Sequence, residues 1–96
     1  MSSRTPTECV ELALDDGADE ERRAGAIREL KTANECDELA ALARTERIAD
    51  RYRRQALEAL ATSQCDSALR GLVEEEGLEE PLQQTATELL ATVDGD

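Results

Sequence analysis

The side chains that could carry out chemistry in this chain are three cysteines, a surplus of carboxylates and a recurring arginine. The cysteines are Cys9, Cys36 and Cys65. An odd number of cysteines argues against a disulfide framework, and no two of them are spaced as a CxxC pair. Because the chain contains no histidine, a zinc site would need a ligand from Asp or Glu, which is uncommon in structural sites. We therefore predict reduced, partly buried thiols and no bound metal.

Two of the three cysteines are the better candidates for a chemical role. Cys36 and Cys65 are each followed by Asp, and both fall in predicted turns between helices, where a thiol would be half-exposed. A working thiol at such a place would have a lowered pKa. Cys9 instead aligns with leucines of the internal repeat described below, so it is predicted to pack as a small hydrophobic residue.

The missing histidine also bears on catalysis. It removes the commonest general base and the base of Ser-His and Cys-His nucleophilic pairs. The five glycines stand singly, so no glycine-rich phosphate loop is present. Acidic runs such as Glu74-Glu75-Glu76 are typical of solvated surface rather than of acid-base pairs. The sequence predicts a protein that is not an enzyme and that binds no cofactor.

The acidic surplus limits the choice of partners. The formal net charge is −12, from 23 acidic and 11 basic side chains, and Lys31 is the only lysine. Such a surface repels the phosphates of nucleic acids and of anionic lipids, so neither is predicted as a partner. Two interpretations of the charge remain. One is adaptation to high salt, the halophilic type of composition, which we favour; the other is an acidic mimic that binds a basic protein.

The sequence also bears on localisation. No stretch approaches the roughly 18 apolar residues that a membrane span requires. The start of the chain, Met1 to Pro6, is polar and has no apolar run behind it, so we predict no signal peptide. The expected location is the cytoplasm.

The elements that must position these residues are helices that recur every thirty positions. Ala and Leu dominate the apolar set, which favours helix over strand. At an offset of thirty the aligned core residues are Ala26, Ala56 and Ala86; Leu30, Leu60 and Leu90; Leu12, Leu42 and Leu72; Ala13, Ala43 and Val73; Cys9, Leu39 and Leu69; Ala18, Ile48 and Leu78. A single offset that aligns so many columns indicates a repeat protein. The predicted helices lie at about 7–15, 19–32, 37–46, 49–62, 66–76 and 79–92.

Helix starts and stops have their own signals. Asp19, Asp37 and Asp66 stand where N-caps are expected, and the glycines at 17 and 77 mark helix ends. The six helices group as three helical hairpins. Each hairpin exposes an apolar stripe that it can bury only by stacking on its neighbours.

Segment 52–60, Tyr-Arg-Arg-Gln-Ala-Leu-Glu-Ala-Leu, resembles the first helix of short HEAT-like repeats of the phycobilisome-lyase type. Those repeats are near thirty residues long and follow the pattern V-R-x-x-A-x-x-A-L-G; the glycine of that pattern is Lys31, Ala61 or Ala91 here. The resemblance implies an all-α fold, in which three stacked helical hairpins form a short, right-handed α-solenoid. The thirty-residue period itself covers about 7–93, which predicts a single domain there, between a disordered tail at 1–6 and a C-terminal tail at 94–96.

The family pattern is structural and implies no activity, so the leading prediction is a non-catalytic protein–protein interaction module, a small adaptor or scaffold. Lyase-type members handle tetrapyrroles. This leaves an alternative in which Cys36 or Cys65 is the working thiol of a protein that handles a chromophore or another small molecule.

An arginine recurs with the repeat. Arg23 and Arg53 share a position, and the third copy carries Gln83. A ligand-binding ladder is one interpretation. We favour a structural role, in which these side chains bond carbonyls or carboxylates of a neighbouring hairpin, for example near Asp19 or Asp50.

The partner is predicted to dock on the concave side, lined by the helices at about 7–15, 37–46 and 66–76. A second candidate is the last helix, whose apolar residues look too many for a terminal cap and suggest a homodimer through that helix. The candidate residues of the concave side are Glu11, Leu14, Asp15, Asp37, Ala41, Arg44, Ser67, Gly71 and Glu74, and those of the last helix are Leu82, Leu89 and Val93.

Overall fold

A computed structural model of the chain describes residues 4–94. These residues form six α-helices and no strand, so the all-α prediction is confirmed: α1 Pro6–Leu14, α2 Glu20–Thr32, α3 Cys36–Arg44, α4 Asp50–Leu60, α5 Asp66–Glu75 and α6 Leu82–Asp94. The predicted helix ends are displaced by only a few residues. Across the described part of the chain, no helix has both the length and the apolar character needed to cross a membrane.

The helices contact one another in a regular pattern. The most extensive contacts join α1 to α2 and α3 to α4, and α5 also packs against α6. In addition α2 contacts α4 and α4 contacts α6, while α1 contacts α3 and α3 contacts α5. We call α1, α3 and α5 the odd row and α2, α4 and α6 the even row. Across the rows, α2 also contacts α3 and α4 also contacts α5. The inner helices therefore pack against helices of the other row on both sides as well as against their neighbours in their own row.

Most of the aligned apolar residues occupy similar environments; Leu12 and Val73 are exceptions, because they are half-buried where their counterparts are buried. Ala26, Ala56 and Ala86 are all completely buried. The leucine column at 30, 60 and 90 and the column at 18, 48 and 78 are buried as well. Full burial of one leucine side chain stabilises the fold by roughly 1.5–3 kcal/mol. The repeated apolar residues are therefore the core of the protein.

The first two helices begin at strong capping residues. The Thr5 side chain accepts a hydrogen bond from the Glu8 backbone N–H, and the Glu8 carboxylate accepts one from the Thr5 N–H, which is a capping box. Asp19 caps α2 by accepting from the Arg22 N–H at 2.8 Å, as predicted. The predicted tail at 1–6 is therefore too long, because Thr5 caps α1 and Pro6 is its first residue. The remaining parts of the two predicted tails, at 1–3 and 95–96, lie outside the described residues.

Unlike α1 and α2, the helices α3 and α5 begin without a side-chain cap. Their N-cap positions hold Glu35 and Cys65, and neither side chain bonds a backbone N–H of its helix. The prediction that Asp37 and Asp66 are N-caps is wrong, because both lie inside the first turn of their helices. A carboxylate there still interacts favourably with the positive end of the helix dipole.

The outer side of α6 is polar rather than apolar. Thr87 occupies the repeat column of Ile27 and Leu57, both of which are completely buried, yet Thr87 is exposed. The apolar side chains of this region point inward instead, and the buried ones are Leu78, Leu82, Ala86 and Leu90.

This packing changes the second candidate docking surface. Leu82 has no exposed area, so the structure removes it from the candidate residues. Leu89 and Val93 are half-buried, and Leu89 packs against the core. The apolar surplus that suggested a homodimer through the last helix is therefore largely consumed by packing within the chain.

Candidate functional site

The predicted concave-side residues lie on the exposed side of the odd row. We define the candidate face as the residues of that row, and of the turn after α1, whose surface is accessible: Glu11, Asp15, Asp37, Ala41, Arg44, Ser67, Gly71 and Glu74. All are exposed except Gly71, which is half-buried, and Leu14 beside them is also half-buried. Since α3 contacts both α1 and α5, the three helices present these residues side by side.

The two rows differ in charge. The odd row carries seven acidic residues and two arginines, a net charge of −5, whereas the even row carries seven acidic and seven basic residues, a net charge of zero. Both rows have exposed sides. The negative charge of the helices is therefore concentrated on the row that carries the candidate face.

Small residues leave the centre of the candidate face open. A Cβ atom built on Gly71 would meet no atom within 4 Å, and Ala41, thirty positions earlier, is exposed. An exposed ion pair crosses the row at the edge of this face, from Arg44 Nη2 to Glu75 Oε1 at 2.8 Å. A partner side chain could approach the middle of the face without displacing a large residue.

Behind the face, the recurring arginine anchors each helix of the even row to the end of the preceding odd-row helix. Arg23 Nε donates a hydrogen bond to the Ala13 carbonyl at 2.9 Å, and Arg53 Nε donates to the Ala43 carbonyl at 2.9 Å. The third copy keeps the contact, because Gln83 Nε2 donates to a carbonyl of the last turn of α5 at 3.0 Å. The last four carbonyls of a helix have no partner within it. The predicted bonding to carbonyls is confirmed, but each carbonyl belongs to the donor's own hairpin and not, as predicted, to a neighbouring one. Only Arg53 also bonds a residue of the next predicted hairpin, Glu79.

The two arginines differ in their second contact. The Arg53 guanidinium makes a two-pronged bond to the Glu79 carboxylate, at 3.0 and 3.1 Å, and this bond lowers the pKa of that carboxyl group. Arg23 instead lies over the ring of Tyr52, 4.3 Å from its centroid. Its nearest carboxylate among residues 4–94 is Asp16, at 4.0 Å, and its buried Nη2 has no hydrogen-bond partner there.

Cys36 and Cys65 form a disulfide, with their Cα atoms 5.4 Å apart. This corrects the prediction of two free turn thiols. With each sulfur bonded to the other, neither is a thiol that could hold a chromophore, so the observation that motivated the lyase-like alternative is gone. The bond joins the start of α3 to the N-cap of α5, and Cys36 is the more accessible end, since Cys65 is only 2% exposed.

Cys9 is the remaining cysteine, and it is free and buried. Its sulfur lies 3.6 Å from a carboxylate oxygen of Glu29, which is also paired with Arg4. Burial raises the pKa of the Cys9 thiol, and the neighbouring Glu29 charge raises it further. A raised pKa leaves the thiol protonated and unreactive, as expected for a residue that packs as a hydrophobe.

A cavity of about 560 Å³ lies beside Cys9, between the start of α1 and the side of α2. Its walls include Gly25 and Arg28 together with Arg4 and Glu29. The cavity does not adjoin the candidate face. None of the residues predicted to bind a partner lines it.

Sequence reasoning missed two features that had a signal. The capping box was readable from Thr5 and Glu8, which stand three positions apart around Pro6. The disulfide was readable from the register, because Cys36 and Cys65 fall one position apart in a repeat whose turns lie side by side. The odd number of cysteines argued against a disulfide more strongly than the register argued for one. An odd number, however, does not say which two cysteines could meet.

Among residues 4–94, no group of three or more Cys, Asp or Glu side chains is arranged to hold a metal ion. Comparison of the chain with protein-family models, with curated proteins and with solved structures finds no match.

Proposed function

We propose that this protein is a non-catalytic protein-binding module, whose candidate face receives a basic segment of another protein. The three hairpins would stack as a short, right-handed HEAT-like solenoid, with the odd row on the concave side. The observation that carries the proposal is the charge difference between the rows, −5 against zero.

This difference separates the two interpretations of the acidic composition. Adaptation to salt acts on every solvated surface alike, so it would place the acidic surplus on both rows. A binding face requires charge only where the partner lies, because complementary potentials steer encounter and exclude wrong partners. Two of the seven basic residues of the even row, Arg23 and Arg53, are buried, but the other five still leave this row with less acidic surplus than the odd row, which has two. The smaller surplus of the even row supports the binding interpretation.

The packing behind the face supports the same proposal. Each odd-row helix ends on a carbonyl held by a side chain of the even row. The face is therefore presented by helices that are fixed at their C-terminal ends. A preformed surface loses less conformational entropy on binding than a flexible one.

The experiment compares two triple variants that remove the same charge from different rows. The first, Glu11→Gln with Asp37→Asn and Glu74→Gln, neutralises the candidate face. The second is the matched control on the even row: Glu21→Gln, Glu58→Gln and Glu88→Gln, all exposed. The probe is a fluorescent oligoarginine peptide, and its dissociation constant is measured by anisotropy at low and at physiological salt.

We expect the face variant to bind the peptide about tenfold more weakly than the native chain, because three favourable exposed charge contacts are lost. The control should bind nearly as the native chain does, and native binding should weaken as ionic strength rises. Equal losses in the two variants would overturn the proposal, since binding would then follow net charge alone.

A further inference from the structure

The three odd-row helices do not begin in the same way. α1 begins at a capping box, in which the Thr5 and Glu8 side chains bond the backbone of its first turn. The starts of α3 and α5 have no side-chain cap. These two uncapped starts are the ones joined by the Cys36–Cys65 disulfide. The covalent bond therefore stands where the first copy has hydrogen bonds.

The disulfide is also the covalent link between α3 and α5, which otherwise pack against each other through apolar side chains. At their other ends the two helices are joined by the ion pair of Arg44 and Glu75, whose side chains are 48% and 57% exposed. Exposed ion pairs stabilise a fold little. At its start, each helix places a residue of the candidate face close to the disulfide: Asp37 follows Cys36, and Ser67 lies two positions after Cys65.

We propose that the Cys36–Cys65 disulfide is a redox-controlled clasp, whose reduction loosens the starts of α3 and α5 and weakens binding at the candidate face. This inference rests on the proposed function for its effect on binding. Its structural part, the loosening of the two helix starts, stands independently.

The reaction is thiol–disulfide exchange with a dithiol reductant. A thiolate of the reductant attacks the Cys36 sulfur, which is the accessible end of the bond, and the Cys36–Cys65 bond breaks as Cys65 leaves as a thiolate and takes up a proton. The second thiol of the reductant then attacks the reductant sulfur that is bonded to Cys36 in the mixed disulfide. This attack closes the reductant's disulfide and releases Cys36 as a thiol. Two electrons and two protons pass from the dithiol to the protein.

The test uses the full chain in three forms: oxidised, reduced with dithiothreitol, and carrying Cys36→Ser with Cys65→Ser. Thiol labelling after denaturation first defines the states; the oxidised chain should show one thiol, from Cys9, and the reduced chain three. Hydrogen exchange is then followed at residues 33–40 and 63–70. Affinity for the oligoarginine peptide is measured in parallel, and Cys9→Ala is the control that removes a thiol outside the clasp.

We expect faster exchange at both helix starts on reduction, and peptide binding weakened about tenfold, within the usual range of coupling between sites. The double serine variant should behave as the reduced chain in either buffer, and the Cys9→Ala chain should respond to reduction as the native chain does. If the double variant fails to fold, reduction of the native chain still gives both measurements.

The outcomes separate the two proposals. Three thiols in the oxidised sample, or exchange unchanged by reduction, would overturn the clasp whatever the binding shows. Peptide binding that is equal in both redox states would overturn the control of binding and leave the proposed function standing. An oxidised chain that does not bind the peptide would overturn the proposed function, and the redox control of binding with it.

Discussion

Arg23 and Arg53 are the same residue of two successive repeats, and they reach the same helix end in the same way. Each donates from Nε to a last-turn carbonyl of the preceding helix at 2.9 Å. Beyond that bond they diverge, because Arg53 meets the Glu79 carboxylate and Arg23 meets the Tyr52 ring. The counterpart of Glu79 thirty positions earlier is Ala49, which offers no carboxylate.

Of the two contacts that each arginine makes, the carbonyl hydrogen bond is common to the repeats and the second contact is specific to one of them. The carbonyl bond recurs in all three copies, including the glutamine copy at Gln83. The second contact varies with the residue that lies beside the guanidinium, which is Tyr52 of α4 for Arg23 and Glu79 of the turn before α6 for Arg53. An anchor that tolerates glutamine needs only one donor in the right place, and the charge of arginine is used only where a carboxylate is near.

The largest expected effect comes from replacing each arginine by glutamine, which retains a donor for the carbonyl. Arg53→Gln should lower the free energy of unfolding by about 1–2 kcal/mol, because it removes charged hydrogen bonds made by a buried side chain. Arg23→Gln should cost less than about 0.5 kcal/mol, because the lost ring contact is offset by removal of a buried donor without a partner. Urea denaturation of both variants measures the difference, and equal costs would mean that the second contacts do not matter.

A smaller effect should follow from giving Arg23 the carboxylate that Arg53 has. Ala49→Glu is expected to stabilise the fold by at most about 0.5 kcal/mol, because the new ion pair is close to the surface. The gain should vanish in the Arg23→Gln background, and a double-mutant cycle measures this coupling. A gain that persists without Arg23 would show that the glutamate acts through the helix dipole instead.

The smallest expected effect is on the stability of the protein at acidic pH. The hydrogen bonds from Arg53 lower the pKa of the Glu79 carboxyl group below its ordinary value of about 4.3. Its contribution to stability is therefore present above that ordinary value and is lost as the pH falls through the lowered pKa of the folded state. Carbon-detected NMR titration should show the Glu79 pKa rising in Arg53→Gln. The pKa of Glu29, which Arg4 lowers, is the internal reference and should not move.

Much of the fold could be predicted because it rests on local periodicity. The buried columns at Ala26 and Leu30 recur at the repeat spacing, and Asp19 caps α2 as its type and place predict. One failure is local, since Asp37 and Asp66 lie inside the first turns of their helices and are not N-caps. The other failures lie where two distant segments meet. Leu82 looked available on the last helix, yet packing buries it completely, and sequence spacing alone could not say which face of α6 meets α4.

The candidate face was predictable only in part. Its residues follow from helical periodicity on three separate helices, and the structure places those helices side by side. The division of charge between two rows could not be read from the net charge of −12, because that requires knowing which helices neighbour each other. Whether the face binds a basic partner stays a prediction.

The sequence by itself determined the helices, their thirty-residue recurrence and the residues of the core, since burial of an apolar stripe depends on spacing within one short segment. Only the tertiary structure decided that Cys36 bonds Cys65 and that Arg53 meets a carboxylate where Arg23 meets a ring. Both outcomes depend on distances between segments about thirty residues apart, which packing of whole helices sets.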